Sequence, residues 1–159
     1  MTADELTVLA AAIAADADLS AFPETLDGAH EMAALLDMTA APDFTVWRSS
    51  VSISEVGAAL DGAEVEGLTT AQANRIMVGG IYSGEGVDAS IAGRRMFFDG
   101  LFSTAEGAVT GPALAMVWRR LATRGEVAFA VGAGTDADPA TLGYEGNISA
   151  ADISAARSI

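Results

Sequence analysis

The stretch TGPALAMVWRRLATRGEVAFA, residues 110–130, decides how this sequence is expected to fold. It opens with Thr110-Gly111-Pro112, and proline is well tolerated in a first helical turn because the N–H groups there have no carbonyl partner. Apolar residues then recur every three or four positions, a spacing that gathers them on one face of a helix. They are Leu114, Val117, Trp118, Leu121 and Ala128. The pattern predicts one long helix over 112–130.

Other helix starts carry the capping-box pattern, in which a hydroxyl accepts an N–H of the first turn and an acid or amide reaches back. The pairs that fit are Thr2/Glu5, Ser52/Glu55 and Thr69/Gln72, with Ser149/Asp152 as a looser match. Asp27 and Asp88 precede two further stretches with apolar residues at helical spacing. The sequence therefore predicts seven helices, over 3–15, 28–37, 53–61, 70–82, 89–102, 112–130 and 150–157.

Two segments lack a helical pattern. In FTVWRSSV, residues 44–51, the residues Thr45, Val46, Trp47 and Val51 favour a strand. One short strand cannot form a sheet alone, so we expect a connector or an arm that pairs with a neighbouring molecule. GAGTDADPATLGYEGN, residues 132–147, is rich in Gly, Asp and Pro and is expected to be a loop.

The predicted fold is all-α. We expect one domain over 1–159, a compact bundle of about seven short helices with a Gly/Asp-rich loop before the C-terminal helix. Residues 1–43 are a candidate for a semi-independent N-terminal helical hairpin.

The composition restricts the function more than any motif does. The formal net charge of -14 disfavours nonspecific binding to nucleic acid and to anionic membranes. Cysteine is absent, which excludes thiol catalysis, and the longest N-terminal apolar run breaks at Asp16, short of the roughly 20 residues of a membrane span. Hydrophobic residues nevertheless make up 51% of the chain. We therefore expect part of the apolar surface to be covered by other subunits.

All eight basic residues are arginine, and three of them, Arg119, Arg120 and Arg124, lie close together in sequence. On the predicted long helix, Arg120 and Arg124 are one turn apart. Arg94 and Arg95 form a second basic pair. One interpretation is a docking patch for a phosphate or for an acidic surface on a partner subunit.

The other interpretation is internal pairing with this chain's own carboxylates, such as Asp99 or Glu126, with the arginine stems lying over Phe97, Phe98 and Trp118. The 22 acidic residues of the chain favour it. The candidates for an interface are Trp47, Arg48, Arg94, Arg95, Arg119, Arg120, Arg124, Asp136, Asp138 and Tyr144.

Patterns typical of chemistry are incomplete. Asp136 and Asp138 are spaced as in the start of a calcium loop, but the glycine and the final glutamate are missing. His30-Glu31 begins like a zinc-protease helix, but Ala34 stands where a second histidine is needed. Ser83 lacks the GxSxG elbow of a hydrolase. We predict no catalytic, cofactor-binding or metal residue and no cofactor; an enzymatic reading would need a site built on Asp136, Asp138 and His30.

Four segments taken in order carry a resemblance to a known group of proteins. They are VWRSSVSISEVGAALDGAEVEGLTTAQANRIMV (46–78), GRRMFFDGLF (93–102), ALAMVWRRLATRGEVAFAVGAGT (113–135) and GNISAADISAAR (146–157). Together with DELTVLAAAIAADADL (4–19) and AALLD (33–37) they resemble small helical virion-associated proteins encoded by tailed bacteriophages. The stretch GGIYSGEGV (79–87) departs from the pattern of that family.

The resemblance implies a structural component of the head-tail neck or of the tail, assembled in the host cytoplasm. It implies contacts with other virion proteins and with copies of itself. From the charge of the chain we expect neither sequence-specific nucleic-acid binding nor membrane binding. It supplies no catalytic residue. The alternative is a helical adaptor or assembly chaperone that binds a phage or host protein and does not enter the virion.

Overall fold

The computed structural model describes residues 1–76, 86–102 and 108–159, apart from the side chain of Arg75. These ranges contain ten helices and four short strands. The helices are α1 (Ala3–Ala15), α2 (Ala17–Ser20), α3 (Leu26–Leu36), α4 (Ile53–Ala59), α5 (Gly62–Glu66), α6 (Thr70–Ile76), α7 (Ala92–Leu101), α8 (Thr110–Val117), α9 (Arg124–Val127) and α10 (Ala150–Arg157). The strands are β1 (Thr45–Trp47), β2 (Arg119–Leu121), β3 (Ala130–Val131) and β4 (Thr141–Leu142).

The all-α prediction is wrong, because the described residues are 53% helical and 10% strand and include two small antiparallel sheets, β1-β2 and β3-β4. The main error is the long helix over 112–130. α8 ends at Val117 and the chain continues as β2. The hydroxyl of Thr123 accepts the Glu126 N–H at 3.2 Å, and the Glu126 carboxylate accepts the Thr123 N–H at 2.9 Å. This capping box starts a new helix, α9, and an N-cap residue has extended backbone, which interrupts the predicted helix.

The predicted extended segment over 44–51 is confirmed as β1, but its partner is β2 of the same chain. The predicted loop over 132–147 is wrong at β4, which pairs with β3 in the register Ala130↔Leu142 and Val131↔Thr141. These strands are two residues long, and a ladder this short leaves little periodicity for a sequence pattern to show.

Four of the ten helices of the described residues begin at predicted caps, whereas Asp27 lies inside α3, whose N-cap is Thr25. Capping boxes are present at Thr2, Ser52 and Ser149, and the Thr69 hydroxyl accepts the Gln72 N–H at 3.3 Å. Of the helix predicted over 70–82, the part beyond Ile76 lies outside the described residues. Asp88 caps a turn instead of a helix, since its carboxylate accepts the Ser90 N–H at 2.9 Å and α7 begins only at Ala92.

The chain divides into two compact units. Unit 1 comprises Met1–Val46 and Leu121–Ile159, and unit 2 comprises Trp47–Arg120. In unit 1, α1 and α3 both pack against α10 around Leu9, Met32 and Ile153, each no more than 1% exposed. Arg157, the last residue of α10, donates to the carbonyls of Pro23 and Phe22 at 2.8 and 2.9 Å.

Unit 2 has its own core. Phe98 of α7 and Trp118, the residue that ends α8, are 2% and 3% exposed, and their ring centroids are 5.3 Å apart. α4 packs against α8, and Val51 pairs with Val87 in an isolated antiparallel bridge. Over the ranges given above, none of the helices combines the length and apolar character that a membrane span requires.

Candidate interaction surfaces

Charge is distributed very unevenly between the two units. Unit 1 contains 14 acidic residues and two arginines, which gives a net charge of -12, whereas unit 2 contains eight acidic residues and six arginines, which gives -2. Two copies of unit 1 therefore repel each other strongly at low salt, and two copies of unit 2 do not.

The Arg124 side chain of unit 1 bridges two aspartates. Its Nη2 lies 2.7 Å from Asp16 Oδ2 and 3.3 Å from Asp18 Oδ2. Asp16 also caps α2, because its other carboxylate oxygen accepts the N–H groups of Asp18 and Leu19. The hydrogen bond from Arg124 lowers the pKa of Asp16 below its usual range, and the same bond raises the pKa of Arg124. The internal-pairing interpretation therefore describes Arg124, with Asp16 and Asp18 as its partners instead of Glu126.

A half-open pocket of about 280 Å³ lies beside this ion pair. Buried leucines of three helices line it, together with four alanines that leave the space unfilled. The lining residues are Leu9, Ala12, Asp16, Leu19, Leu36, Ala40, Ala41, Pro42, Phe44, Arg124, Gly125, Val127 and Ala128. Sequence reasoning did not find this pocket, because its walls come from both ends of the chain.

Arg48 and Arg119 make polar contacts inside unit 2. Arg48 Nη1 lies 2.7 Å from Glu55 Oε1 and donates to the Val117 carbonyl at 3.2 Å. The hydrogen bond from Arg48, followed by those from Ser52, lowers the pKa of Glu55 to about 2. Arg119 is also engaged, since its Nε donates to the Ala115 carbonyl at 2.6 Å.

Arg95 lies over the indole of Trp47, with its guanidinium carbon 3.8 Å from the ring centroid. It also donates to the carbonyls of Ala89 and Ser90. Burial lowers the pKa of Arg95, and the charge of Asp99 acts in the opposite direction. The stacked cation and ring thus form an internal contact of unit 2. Arg94 is exposed on the first turn of α7, and Arg120, in β2, is half-buried.

The remaining candidates lie in the segment before α10. Asp136 accepts the hydroxyl of buried Thr45 at 2.7 Å, so this aspartate ties the segment to β1. The Asp138 N–H donates to the Thr135 hydroxyl at 3.0 Å. The Tyr144 hydroxyl donates to the Asn147 carbonyl at 2.9 Å, and burial raises the pKa of Tyr144.

The structure places only some of the residues that the sequence singled out for chemistry. His30 is exposed on α3, Asp136 accepts the hydroxyl of Thr45, and Ser83 lies outside the described residues. In the part of the chain that is described, no three His, Asp or Glu side chains are grouped so as to hold a metal ion.

An exposed apolar ridge runs along α8 of unit 2. We define it by Val109, Pro112 and Met116, which follow one another at spacings of three and four and share one helix face. Val109 is 58% exposed and Met116 is 72% exposed. The Glu64 carboxylate fixes the start of α8 by accepting the N–H groups of Val109 and Thr110 at 2.8 and 2.9 Å. Sequence reasoning followed the opposite face, with Leu114 and Trp118, and missed this ridge although its spacing is visible.

Comparison of the chain with family models, with curated protein sequences and with solved structures found no match.

Proposed function

We propose that the chain is a structural component of a tailed-bacteriophage virion, in the neck or tail region, and that it acts through protein–protein contacts with copies of itself and with other virion proteins. The resemblance of the quoted segments suggests the setting. The observation that carries the interaction role is the exposed α8 ridge. The proposal assigns catalysis to no residue.

The composition and exposure of the ridge are typical of a protein–protein interface. Val109, Pro112 and Met116 put apolar atoms on one exposed face, and Met116 is among the most exposed large apolar side chains of the described residues. Methionine is enriched at protein interfaces and adapts its shape to a partner. Burial of such a face against a second surface is favourable by about 25 cal/mol for each Å² of apolar area.

Charge indicates which surface covers the ridge. A second copy that approaches through unit 1 brings a net charge of -12, whereas one that approaches through unit 2 brings only -2. Like-charge repulsion therefore favours self-association between the α8 ridges of two copies. The strongly negative unit 1 is expected to bind partners of opposite charge instead.

Mass spectrometry of purified particles whose genome encodes this chain tests the proposal. We expect peptides such as MFFDGLFSTAEGAVTGPALAMVWR, residues 96–119, in several copies per particle. Particles without such peptides, with free protein in the lysate, would instead support the adaptor or chaperone.

A matched pair of variants tests whether the ridge is needed for incorporation of the protein into particles. Met116→Glu places a charge on the ridge, and Ala58→Glu places the same charge on an exposed position of α4 in the same unit. We expect Met116→Glu to lower the copy number per particle at least fivefold and Ala58→Glu to leave it unchanged. Equal incorporation of the two variants would show that the ridge is not used.

A further inference from the structure

The pocket of unit 1 is a half-open pocket with mainly apolar walls. Leu9, Leu19 and Leu36 form its inner wall and are each no more than 3% exposed. Small side chains, including Ala12 and Ala128, leave the space in front of that wall empty. One side of the pocket is open to solvent, and an apolar group that enters it removes apolar surface from water. The pocket therefore offers favourable burial to whatever apolar group enters it.

The volume of the pocket indicates which kind of apolar group it can hold. An apolar cavity of about 150 Å³ is large enough to hold benzene, and this pocket is about 280 Å³. Pockets for drug-sized ligands start at about 300 Å³ and are mostly larger. One indole or phenyl side chain matches the available space better than a cofactor or a lipid chain.

The charges at the mouth of the pocket determine whether the residues next to that aromatic side chain are expected to be basic or acidic. Asp16, Asp18 and Arg124 together carry one net negative charge, and the Asp18 side chain is 77% exposed. An anionic group would have to compete with both aspartates for Arg124. Exposed Asp37 and Asp43 follow the lining residues Leu36 and Pro42 in sequence, and the unit as a whole carries -12. A cation that arrives beside the apolar group is attracted, and an anion is repelled.

We infer that this pocket binds a basic segment of a partner protein by enclosing one aromatic side chain, with the segment's arginine or lysine residues lying along Asp18 and the other acids of unit 1. The inference rests on the proposed function in one respect, namely that the chain works through protein contacts. It adds the chemistry of the partner.

Fluorescence anisotropy with the full chain and a labelled nine-residue peptide tests this inference. The peptide carries a central tryptophan and four arginines; one control peptide has alanine in place of tryptophan, and a second has glutamates in place of the arginines. We expect the first peptide to bind at least tenfold more tightly than either control. Binding should weaken as sodium chloride is raised, because the attraction is between exposed charges.

Two variants of α1 separate the pocket from the rest of the surface. Ala12→Leu fills the pocket, and Ala11→Leu makes the same change at the neighbouring exposed position, which does not line it. We expect Ala12→Leu to weaken peptide binding at least tenfold and Ala11→Leu to change it less than twofold. If Ala12→Leu fails to fold by circular dichroism, Asp18→Arg takes its place, with the same expected loss for the arginine peptide.

No binding at low salt would overturn the inference, and so would equal binding of the tryptophan and alanine peptides or equal binding by the two leucine variants. Particle composition gives an independent result. If the protein is present in particles but does not bind the peptide, only the proposed binding role of the pocket is refuted. If it binds the peptide but is absent from particles, only the proposed virion role is refuted.

Discussion

Arg124 and Asp16 are 108 positions apart in the sequence and are joined by a hydrogen bond of 2.7 Å between Nη2 and Oδ2. The same aspartate caps α2 through the N–H groups of Asp18 and Leu19. One carboxylate therefore fixes a turn between two helices, ties the N-terminal part of unit 1 to α9 and sets the charge at the mouth of the pocket.

This relationship predicts a specific dependence of stability on pH. The folded-state pKa of Asp16 is lowered, first by the bond from Arg124, and lies below the unfolded value of about 3.9. The stability it contributes is therefore fully present above about pH 4 and is lost as the pH falls through the folded-state pKa. Urea unfolding should show Arg124→Gln to be less stable than wild type at pH 7, with a difference that shrinks at pH 2.5. A difference that is unchanged at pH 2.5 would refute this role of Asp16.

The Glu55 carboxyl should titrate abnormally. The hydrogen bond from Arg48 is the largest cause of its pKa of about 2. Arg48→Gln should raise this pKa towards its ordinary value, measured by NMR of the side-chain carboxyl carbon. Ser52→Ala removes the second cause and should raise it less. If Ser52→Ala has the larger effect, the assigned order of causes is wrong.

Two helical glycines should respond to alanine in opposite ways. A Cβ at Gly28, in the first turn of α3, would lie 2.2 Å from the backbone oxygen of Pro23, so Gly28→Ala must displace backbone and should cost about 1–3 kcal/mol. A Cβ at Gly57, inside α4, would meet nothing within 4 Å. Gly57→Ala should stabilise by about 0.4–1 kcal/mol. Urea unfolding measures both. A stabilising Gly28→Ala would contradict the packing at Pro23, and a destabilising Gly57→Ala would contradict the open space at this position of α4.

The Trp118 side chain contributes bulk, but its single polar group has no hydrogen-bond partner among the described residues. It is 3% exposed, and in the described structure its Nε1 has no hydrogen-bond partner. Trp118→Ala should cost about 3–5 kcal/mol. Trp118→Phe retains an aromatic ring and removes a buried N–H whose isolation costs about 1–3 kcal/mol, so we expect it to cost less than half as much in urea unfolding. Equal losses for the two variants would mean that the N–H is in fact satisfied.

The capping residues account for much of what the sequence revealed about the fold. A hydroxyl followed three residues later by an acid or amide is a local signal, and it placed α1, α4, α6 and α10 close to their observed starts. The same signal is present at Thr123 and Glu126. The sequence analysis gave more weight to the longer apolar periodicity of 112–130. Leu121 of β2 falls at helical spacing after Trp118, so the periodicity did not show where α8 ends.

The surfaces were harder to predict than the helices. Internal pairing with carboxylates was one of two interpretations of the arginines, and the sequence could not choose Asp16 for Arg124 across 108 positions. The pocket could not be anticipated at all, because an alanine such as Ala12 looks like ordinary helix composition until the leucines behind it are known. The ridge could have been predicted from the sequence, because Val109, Pro112 and Met116 follow one another at helical spacing.

Sedimentation velocity of the purified chain tests most directly whether the α8 ridge joins copies of this protein. We predict a species heavier than the 16.1 kDa monomer whose fraction rises with concentration, its loss in Met116→Glu and its retention in Ala58→Glu. A single 16.1 kDa species at every concentration, or equal association of the two variants, would contradict the account.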